Sequence, residues 1–135
     1  MKIGFTGTQK GMSAGQLAEL EDTLLHCLIS YDKYFEFHEG DCVGADDEST
    51  TLARRLGFKI IVHPPINSSK RAFNIDFDDL VLPRKEYLAR NKDIVDATDL
   101  LIAAPFTDEE ERRSGTWSTV RYAWLMSKEV IILKR

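Results

Sequence analysis

The chain opens with KIGFTGTQKGMS, residues 2–13, in which a short apolar run leads directly into a polar loop that contains two glycines. The apolar run ends at Gly7 and predicts a β-strand. Ser13 can then cap a helix that continues to about residue 30. The apolar side chains after it recur at helical spacing, at Leu17, Leu20, Leu24, Cys27 and Leu28. The start of the chain is therefore predicted to be a strand, a glycine loop and a helix.

The same alternation continues along the rest of the sequence. Further strands are predicted at 34–38, 58–63, 100–103 and 130–133, further helices at 45–56, 84–97 and 116–127, and an irregular segment at 64–82. Strands that alternate with helices are typical of an α/β fold with a mainly parallel sheet. Right-handed crossovers then favour a Rossmann-like, three-layer domain with a five-stranded sheet in the order 3-2-1-4-5. We expect residues 1–135 to form a single domain.

The composition narrows the classes of function. Hydrophobic residues make up 43% of the 135 residues and charged residues 30%, as in ordinary globular proteins. The net charge of -4 argues against a long nucleic acid as partner, because such proteins normally carry a basic excess. It leaves room for a small anionic ligand, since a few backbone N–H groups and one arginine can bind a phosphate.

Other classes lack their sequence signals. No apolar run approaches the roughly 20 residues of a membrane helix, and residues 1–8 do not read as a signal peptide. We therefore expect a cytoplasmic protein that has no membrane partner. Cys27 and Cys42 form neither a CxxC pair nor a zinc spacing, so we expect reduced thiols, no metal and no cofactor.

Two loops fall where the predicted strand order reverses, and ligands bind at that point in open α/β sheets. The first loop contains Gly7, Thr8 and Gln9, which offer a tight turn and hydrogen-bonding side chains, although a plain βα turn explains it equally well. The second contains Ser114, Gly115 and Thr116 at the start of a helix, where Ser114 or Thr116 can be merely the N-cap. Together the two loops predict a site for a nucleotide or a sugar phosphate.

Two further segments carry polar residues. Gly40, Asp41, Gly44 and Asp46 follow the second strand, where Asp41 can bind a ribose hydroxyl or act as an acid or base. Asp46 either joins the same site or is a favourable charge in the first turn of a helix. In the third helix, Arg84, Tyr87 and Arg90 share one face by their spacing, and one of them can reach a phosphate. Asn91 follows Arg90.

The order of these motifs resembles the SLOG superfamily, which includes DNA-processing protein A and the LOG phosphoribohydrolases. The resemblance rests on GFTGT at 4–8, GDCVGAD at 40–46, RN at 90–91, Asp99 before an apolar strand, and SGT at 114–116. It covers nearly the whole chain. It implies a Rossmann-like domain that binds a nucleotide or a derivative. We expect the ligand contacts at Gly7, Thr8, Gln9, Gly40, Gly44, Arg90, Asn91, Ser114, Gly115 and Thr116. It also implies a homodimer or larger homo-oligomer.

The resemblance leaves three functions open, because this chain departs from the catalytic motif of the LOG enzymes. LOG enzymes carry a catalytic glutamate in a GGxGTxxE motif, and Thr119 stands at that position here. Those enzymes have Arg-Lys where this chain has Arg90-Asn91. Hydrolysis of the N-glycosidic bond of a nucleoside 5′-monophosphate would then need another carboxylate, such as Asp41, Asp46 or Glu48. The alternative is a non-catalytic module that senses or sequesters a nucleotide, and a third class is single-stranded DNA binding.

Overall fold

The computed structural model describes residues 1–30 and 34–135, and in that part the centre is a six-stranded, entirely parallel sheet. Its strands are β1 (Lys2–Gly7), β2 (Glu36–Glu39), β3 (Lys59–Val62), β4 (Leu80–Val81), β5 (Leu100–Ala104) and β6 (Glu129–Ile132). They lie in the order β4-β3-β2-β1-β5-β6. The helices are α1 (Ala14–Ser30), α2 (Ala45–Arg55), α3 (Tyr87–Asp96) and α4 (Gly115–Leu125). The predicted Rossmann-like α/β class is confirmed.

Helices cover both faces of the sheet. Leu20 and Leu24 of α1 pack with α2 against Phe5 and Phe37, whose ring centroids are 5.8 Å apart. On the other face α3 and α4 bury a second cluster of apolar side chains, which consists of Val95, Leu101, Ala103, Trp117, Val120 and Ala123. Each fully buried side chain of the size of leucine or phenylalanine contributes roughly 1.5–3 kcal/mol to stability. All residues of β5 are buried, as predicted for a central strand.

The first turn of α1 forms a capping box. The hydroxyl of Ser13 accepts from the backbone N–H of Gln16 at 3.1 Å, and the Gln16 side chain accepts from the N–H of Ser13 at 3.1 Å. The fully buried Gln16 amide also donates to the carbonyls of Pro105 and Leu133, at 2.8 and 3.1 Å. The helix start is thereby tied to the chain just beyond β5 and β6, at the edge of the sheet where the ligand site was predicted.

The sheet has one strand more than predicted. Leu80 and Val81 pair in parallel with Ile61 and Val62, so part of the segment 64–82 forms the edge strand β4. Two half-exposed residues give too short a periodicity to indicate a strand in the sequence. The next residues stay extended, because Lys85 exchanges backbone hydrogen bonds with the chain at Pro64 and Ile66. The helix α3 consequently begins at Tyr87, three residues later than predicted.

Candidate functional site

A cavity of about 270 Å³ opens at the carboxyl ends of β1 and β5, where the strand order reverses. We call it the cradle, and its lining residues are Gly7, Thr8, Gln9, Lys10, Tyr87, Phe106, Ser114, Gly115 and Thr116. The N–H of Thr8 donates to the carbonyl of Ala104 at 3.0 Å, which holds the loop after β1 beside the end of β5. The two loops predicted to form a site are therefore neighbours.

The cradle offers hydrogen-bond donors and a positive charge. The Ser114 hydroxyl caps α4 by accepting from the N–H of Trp117 at 3.2 Å. The N–H groups of Gly115 and Thr116 lie in the first turn, where a helix supplies no acceptor of its own. The ammonium group of Lys10 lies 4.1 Å from the ring centroid of Phe106. A helix N-terminus beside a lysine is an arrangement that attracts anions of the size of phosphate.

Tyr87 closes one side of the cradle and is 40% exposed. A Cβ atom placed on Gly115 would overlap the Tyr87 hydroxyl, so only glycine allows the helix start to approach the phenol this closely. Gly7 is restricted in a similar way, since a Cβ there would lie 2.5 Å from the Cβ of Ala45. These two glycines therefore set the shape of the cradle.

A second cavity of about 340 Å³ adjoins the cradle, and Gln9 and Tyr87 line both. We call it the side pocket, and its remaining lining residues are Cys42, Pro65, Ile66, Asn67, Lys70 and Glu86. Most of them come from the segment 64–82, which therefore forms a wall of the cleft. The Tyr87 ring, Pro65 and Ile66 provide apolar surface next to the donors of the cradle. The cleft as a whole thus combines an anion site with an apolar site.

Arg90 lies beneath this cleft and is 3% exposed. Its guanidinium donates to the carbonyls of Gly40 and His63, the latter at 3.0 Å, and to the Asn91 side chain at 2.8 Å. A further N–H points at the sulfur of Cys42 at 3.7 Å, and the guanidinium lies 4.9 Å from the Tyr87 ring centroid. The structure thus places Arg90 in the floor of the cleft, with most of its donors already bound to protein acceptors.

Gly40 and Gly44 make the close packing around this floor possible. A Cβ on Gly40 would lie 2.5 Å from the Arg90 guanidinium. Gly44 has φ of 87° and lies against the carbonyl of Gln9, so any other side chain would be both strained and obstructed there. Gly44 lines neither cavity. It allows the start of α2 to support the cradle loop, to which Ala45 donates a hydrogen bond at the carbonyl of Thr8.

Asp41 lies to one side of the cleft and has a structural partner. Its fully buried carboxylate accepts from Arg71 at 2.7 Å and from the backbone of Asn74 at 3.3 Å. The backbone carbonyl of Asp41 accepts from Ala72 at 2.8 Å. These contacts fasten the segment 64–82, and hence the wall of the side pocket, to the end of β2.

Asp46 and Glu39 are buried carboxyl groups close to Arg90. Burial raises the pKa of Asp46 to about 6, partly opposed by the positive charge of Arg90. Burial, together with the nearby Asp46 charge, raises the pKa of Glu39 well above its usual value. Asp46 accepts from the backbone of Cys42 at 3.2 Å and lines the small space between Gln9 and Tyr87. Oε1 of Glu39 has no hydrogen-bond partner among the residues that the structure describes.

Cys42 faces both the side pocket and the floor. Burial raises the pKa of its thiol to about 11, which leaves almost no thiolate at neutral pH. The near neighbours of the thiol are the Arg90 guanidinium, 3.7 Å from the sulfur, and the Asp46 carboxyl, whose negative charge also raises the pKa of the thiol.

The structure brings together six of the predicted ligand residues at the cradle, namely Gly7, Thr8, Gln9, Ser114, Gly115 and Thr116. Gly40, Asp46, Arg90 and Asn91 line the small space below it. Sequence reasoning missed Lys10 and Phe106 at the cradle, and it missed the contribution of Pro65 and Ile66. The signal for the latter pair was the length of the segment 64–82, which is unusual for a connection without a function.

The described part of the chain has neither a membrane-spanning helix nor a cluster of potential metal ligands. In residues 1–30 and 34–135 no helix is long and apolar enough to cross a membrane. Over the same residues, no group of three or more histidine, cysteine, aspartate or glutamate side chains is placed to hold a metal ion.

Comparison with known proteins gives matches at the level of structure only. No protein-family model and no curated protein sequence matches the chain. The molybdenum cofactor binding protein from the phototrophic bacterium Rippkaea orientalis matches with a TM-score of 0.71 and 20% identity, over 97% of this chain and 74% of that one. The molybdenum cofactor carrier protein from Chlamydomonas reinhardtii matches with a TM-score of 0.67 and 18% identity, over 97% and 75%.

DNA processing protein A from Streptococcus pneumoniae also matches, with a TM-score of 0.72 and 19% identity. The match covers 97% of this chain and 49% of that protein. The sequence motifs resembled those of DNA-processing protein A, and its structure is now among the matches. The predicted Rossmann-like fold is therefore confirmed.

Proposed function

We propose that this protein binds a small molecule that carries both a phosphate and a flat heterocyclic ring, with a nucleoside 5′-monophosphate as the first ligand class. The phosphate occupies the cradle and the ring occupies the side pocket. The observation that carries the proposal is that the two cavities are adjacent and share Gln9 and Tyr87 in their linings. Their volumes of about 270 and 340 Å³ together lie in the usual range for small-molecule sites, roughly 300–1,000 Å³.

The charge distribution supports this orientation of the ligand. The cradle has Lys10 and the N-terminus of α4, whereas the side pocket has Pro65, Ile66 and the Tyr87 ring next to the amide of Asn67. An anion gains most at the helix N-terminus, and a flat ring gains most against apolar and aromatic surface.

Isothermal titration with adenosine 5′-monophosphate tests the proposal. Lys10→Gln should weaken binding about tenfold, because a hydrogen bond to a charged group contributes roughly 1.5–3 kcal/mol. Lys2→Gln is the matched control, since Lys2 lies at the amino end of β1, whereas the cradle lies at the carboxyl end. Equal affinity in the two variants, or no binding to any of a panel of nucleotides, would contradict the proposal.

A phosphorylated pterin is a second ligand class. Two structures with this fold are described as a molybdenum cofactor binding protein and a molybdenum cofactor carrier protein. The organic part of that cofactor is a pterin that carries a phosphate, so the same two-part cleft suits it. Mass spectrometry of small molecules released from the purified protein separates the classes. A nucleotide supports the first class, and a pterin phosphate supports the second.

Hydrolysis of the N-glycosidic bond is the catalytic form of the proposal, and Asp46 is the residue on which it depends. Its pKa of about 6 lets it exchange a proton near neutral pH, and it lines the space between the two cavities. If the protein is a hydrolase, it should release adenine and ribose 5-phosphate from adenosine 5′-monophosphate. Asp46→Asn should abolish this release while the nucleotide still binds. Binding without any base release leaves the non-catalytic form.

A further inference from the structure

A separate cavity of about 230 Å³ lies on the far side of Arg90 from the cleft. Its lining residues are His63, Leu82, Pro83, Lys85, Arg90 and Asp93, and we call it the flank cavity. Apart from Arg90, none of these residues lines the cradle, the side pocket or the small space between them. The flank cavity is therefore a distinct site that the proposed function does not use.

A chain of three side chains leads from the surface to this cavity. Oε1 of Glu36 lies 2.7 Å from Nε2 of His38, and Nδ1 of His38 lies 2.8 Å from Nε2 of His63. Both histidines are buried, with 5% and 4% exposure. Oε2 of Glu36 accepts from the Tyr34 hydroxyl at 2.8 Å. Burial alone would raise the pKa of Glu36, but the hydrogen bonds from His38 and Tyr34 lower it, so this group is a carboxylate at neutral pH.

These contacts fix the tautomer of each imidazole. A carboxylate only accepts hydrogen bonds, so Nε2 of His38 carries the proton that faces Glu36. In a neutral ring Nδ1 of His38 must then accept, and Nε2 of His63 must donate to it. Burial keeps both rings neutral, because it lowers the pKa of His38 and lowers that of His63 to about 4. The remaining nitrogen of His63, Nδ1, therefore carries a lone pair, and no group in the described part of the chain hydrogen-bonds to it.

The other polar groups of the flank cavity are already paired. The ammonium of Lys85 lies 2.5 Å from Oδ2 of Asp93, so their charges cancel at the rim. Arg90 donates to backbone carbonyls, to Asn91 and toward Cys42. Leu82 and Pro83 supply apolar surface. In the described part of the chain, the cavity thus presents one acceptor without a protein partner, Nδ1 of His63, beside the Arg90 guanidinium and the Lys85–Asp93 ion pair.

We infer that the flank cavity binds a neutral single-ring compound whose one O–H or N–H group donates to Nδ1 of His63. An apolar cavity of about 150 Å³ is known to bind benzene, so about 230 Å³ is enough for a six-membered ring with a small substituent. The hydrogen bond gives the orientation, and Leu82 and Pro83 contact the ring.

Phenol and toluene test this inference, since they have nearly the same shape and only phenol has a donor. In long-range proton–nitrogen NMR spectra of the unmodified protein, the Nδ1 signal of His63 should be that of a bare nitrogen. Phenol should shift that signal and the amide signals of Leu82 and Lys85, and toluene should bind about fivefold more weakly, the ratio supplied by one neutral hydrogen bond. In His63→Leu the two probes should bind equally.

Three results would overturn the inference: a protonated Nδ1, equal affinity for phenol and toluene in the unmodified protein, or shifts confined to the side pocket at Ile66 and Tyr87. Because the comparison uses two probes on one protein, it does not depend on the folding of a variant. Nucleotide binding at the cleft is measured at other residues, so either proposal can fail alone.

Discussion

The hydroxyl of Tyr87 lies directly against the backbone of Gly115, so the start of α3 and the start of α4 meet at the cradle. The same tyrosine ring lies 4.9 Å from the guanidinium of the buried Arg90, so it forms one side of the cradle beside the N-terminus of α4. This contact couples the shape of the cradle to the floor of the cleft.

Gly115→Ala should destabilise the protein by about 1–3 kcal/mol, because the added methyl group and the Tyr87 hydroxyl cannot occupy the same space. Tyr87→Phe removes that hydroxyl and leaves ring carbons at 3.1 Å from the new Cβ position, which is a contact the ring can relieve. Unfolding by urea should therefore show that the double variant recovers most of the loss. A double variant whose loss equals the sum of the two single losses would contradict the contact.

Asp41→Asn should cost about 3 kcal/mol, because it leaves the Arg71 guanidinium, 10% exposed, without its buried counter-charge. The loss should appear first as faster hydrogen exchange in the segment 64–82, which the pair fastens to the end of β2.

Arg121→Gln is the control for that experiment. The ion pair of Arg121 with Glu110 is well exposed, with 35% and 48% side-chain exposure, so its removal should change stability by less than about 1 kcal/mol. Equal effects of Asp41→Asn and Arg121→Gln would show that burial of the Asp41 pair does not matter.

The buried carboxyl of Asp46 predicts a pH dependence of stability. Its pKa is raised to about 6 in the folded protein, so the folded state binds more protons than the unfolded state between about pH 4 and 6. Its contribution to the free energy of unfolding should therefore be greatest below about pH 4 and should fall as the pH rises through 6.

Asp46→Asn removes this contribution together with the part of the raised Glu39 pKa that the Asp46 charge causes, which changes stability in the same direction. The buried His38 and His63 titrate with the opposite sign, but they are present in both proteins. The free energy of unfolding of the parent minus that of the variant should decrease from pH 4.5 to 7. Denaturant unfolding at a series of pH values measures it, and an increase over that range would reverse the assigned direction.

The sequence predicted the fold and the meeting of the two switch-point loops for a simple reason. The carboxyl ends of neighbouring parallel strands share an edge, so Gly7 and Gly115 had to lie near each other once the strand order was known. The placement of Arg90 in the floor and the pairing of Asp41 with Arg71 were not predictable in this way. Both depend on which of several distant partners a side chain selects, and helical or strand spacing carries no information about that choice.

The sequence did not predict two features of the structure, for related reasons. These are the short strand β4 and the hydrogen-bonded side chains of Glu36, His38 and His63. A two-residue edge strand has no period to detect. His38 lies in β2 and His63 lies just beyond the end of β3, so their contact depends on the register of the two strands, which pairs His38 with Ile61.

The central claim is a two-part ligand in a two-part cleft, and an NMR titration tests it most directly. Inorganic phosphate should shift the amide signals of Gly115 and Thr116 and leave those of Ile66 and Asn67 unchanged. Adenosine 5′-monophosphate should shift both pairs at the same ligand concentration, with one dissociation constant. Two results would contradict the account. In the first, neither pair of amide signals shows a saturable shift. In the second, the monophosphate shifts the signals of Ile66 and Asn67 but not those of Gly115 and Thr116.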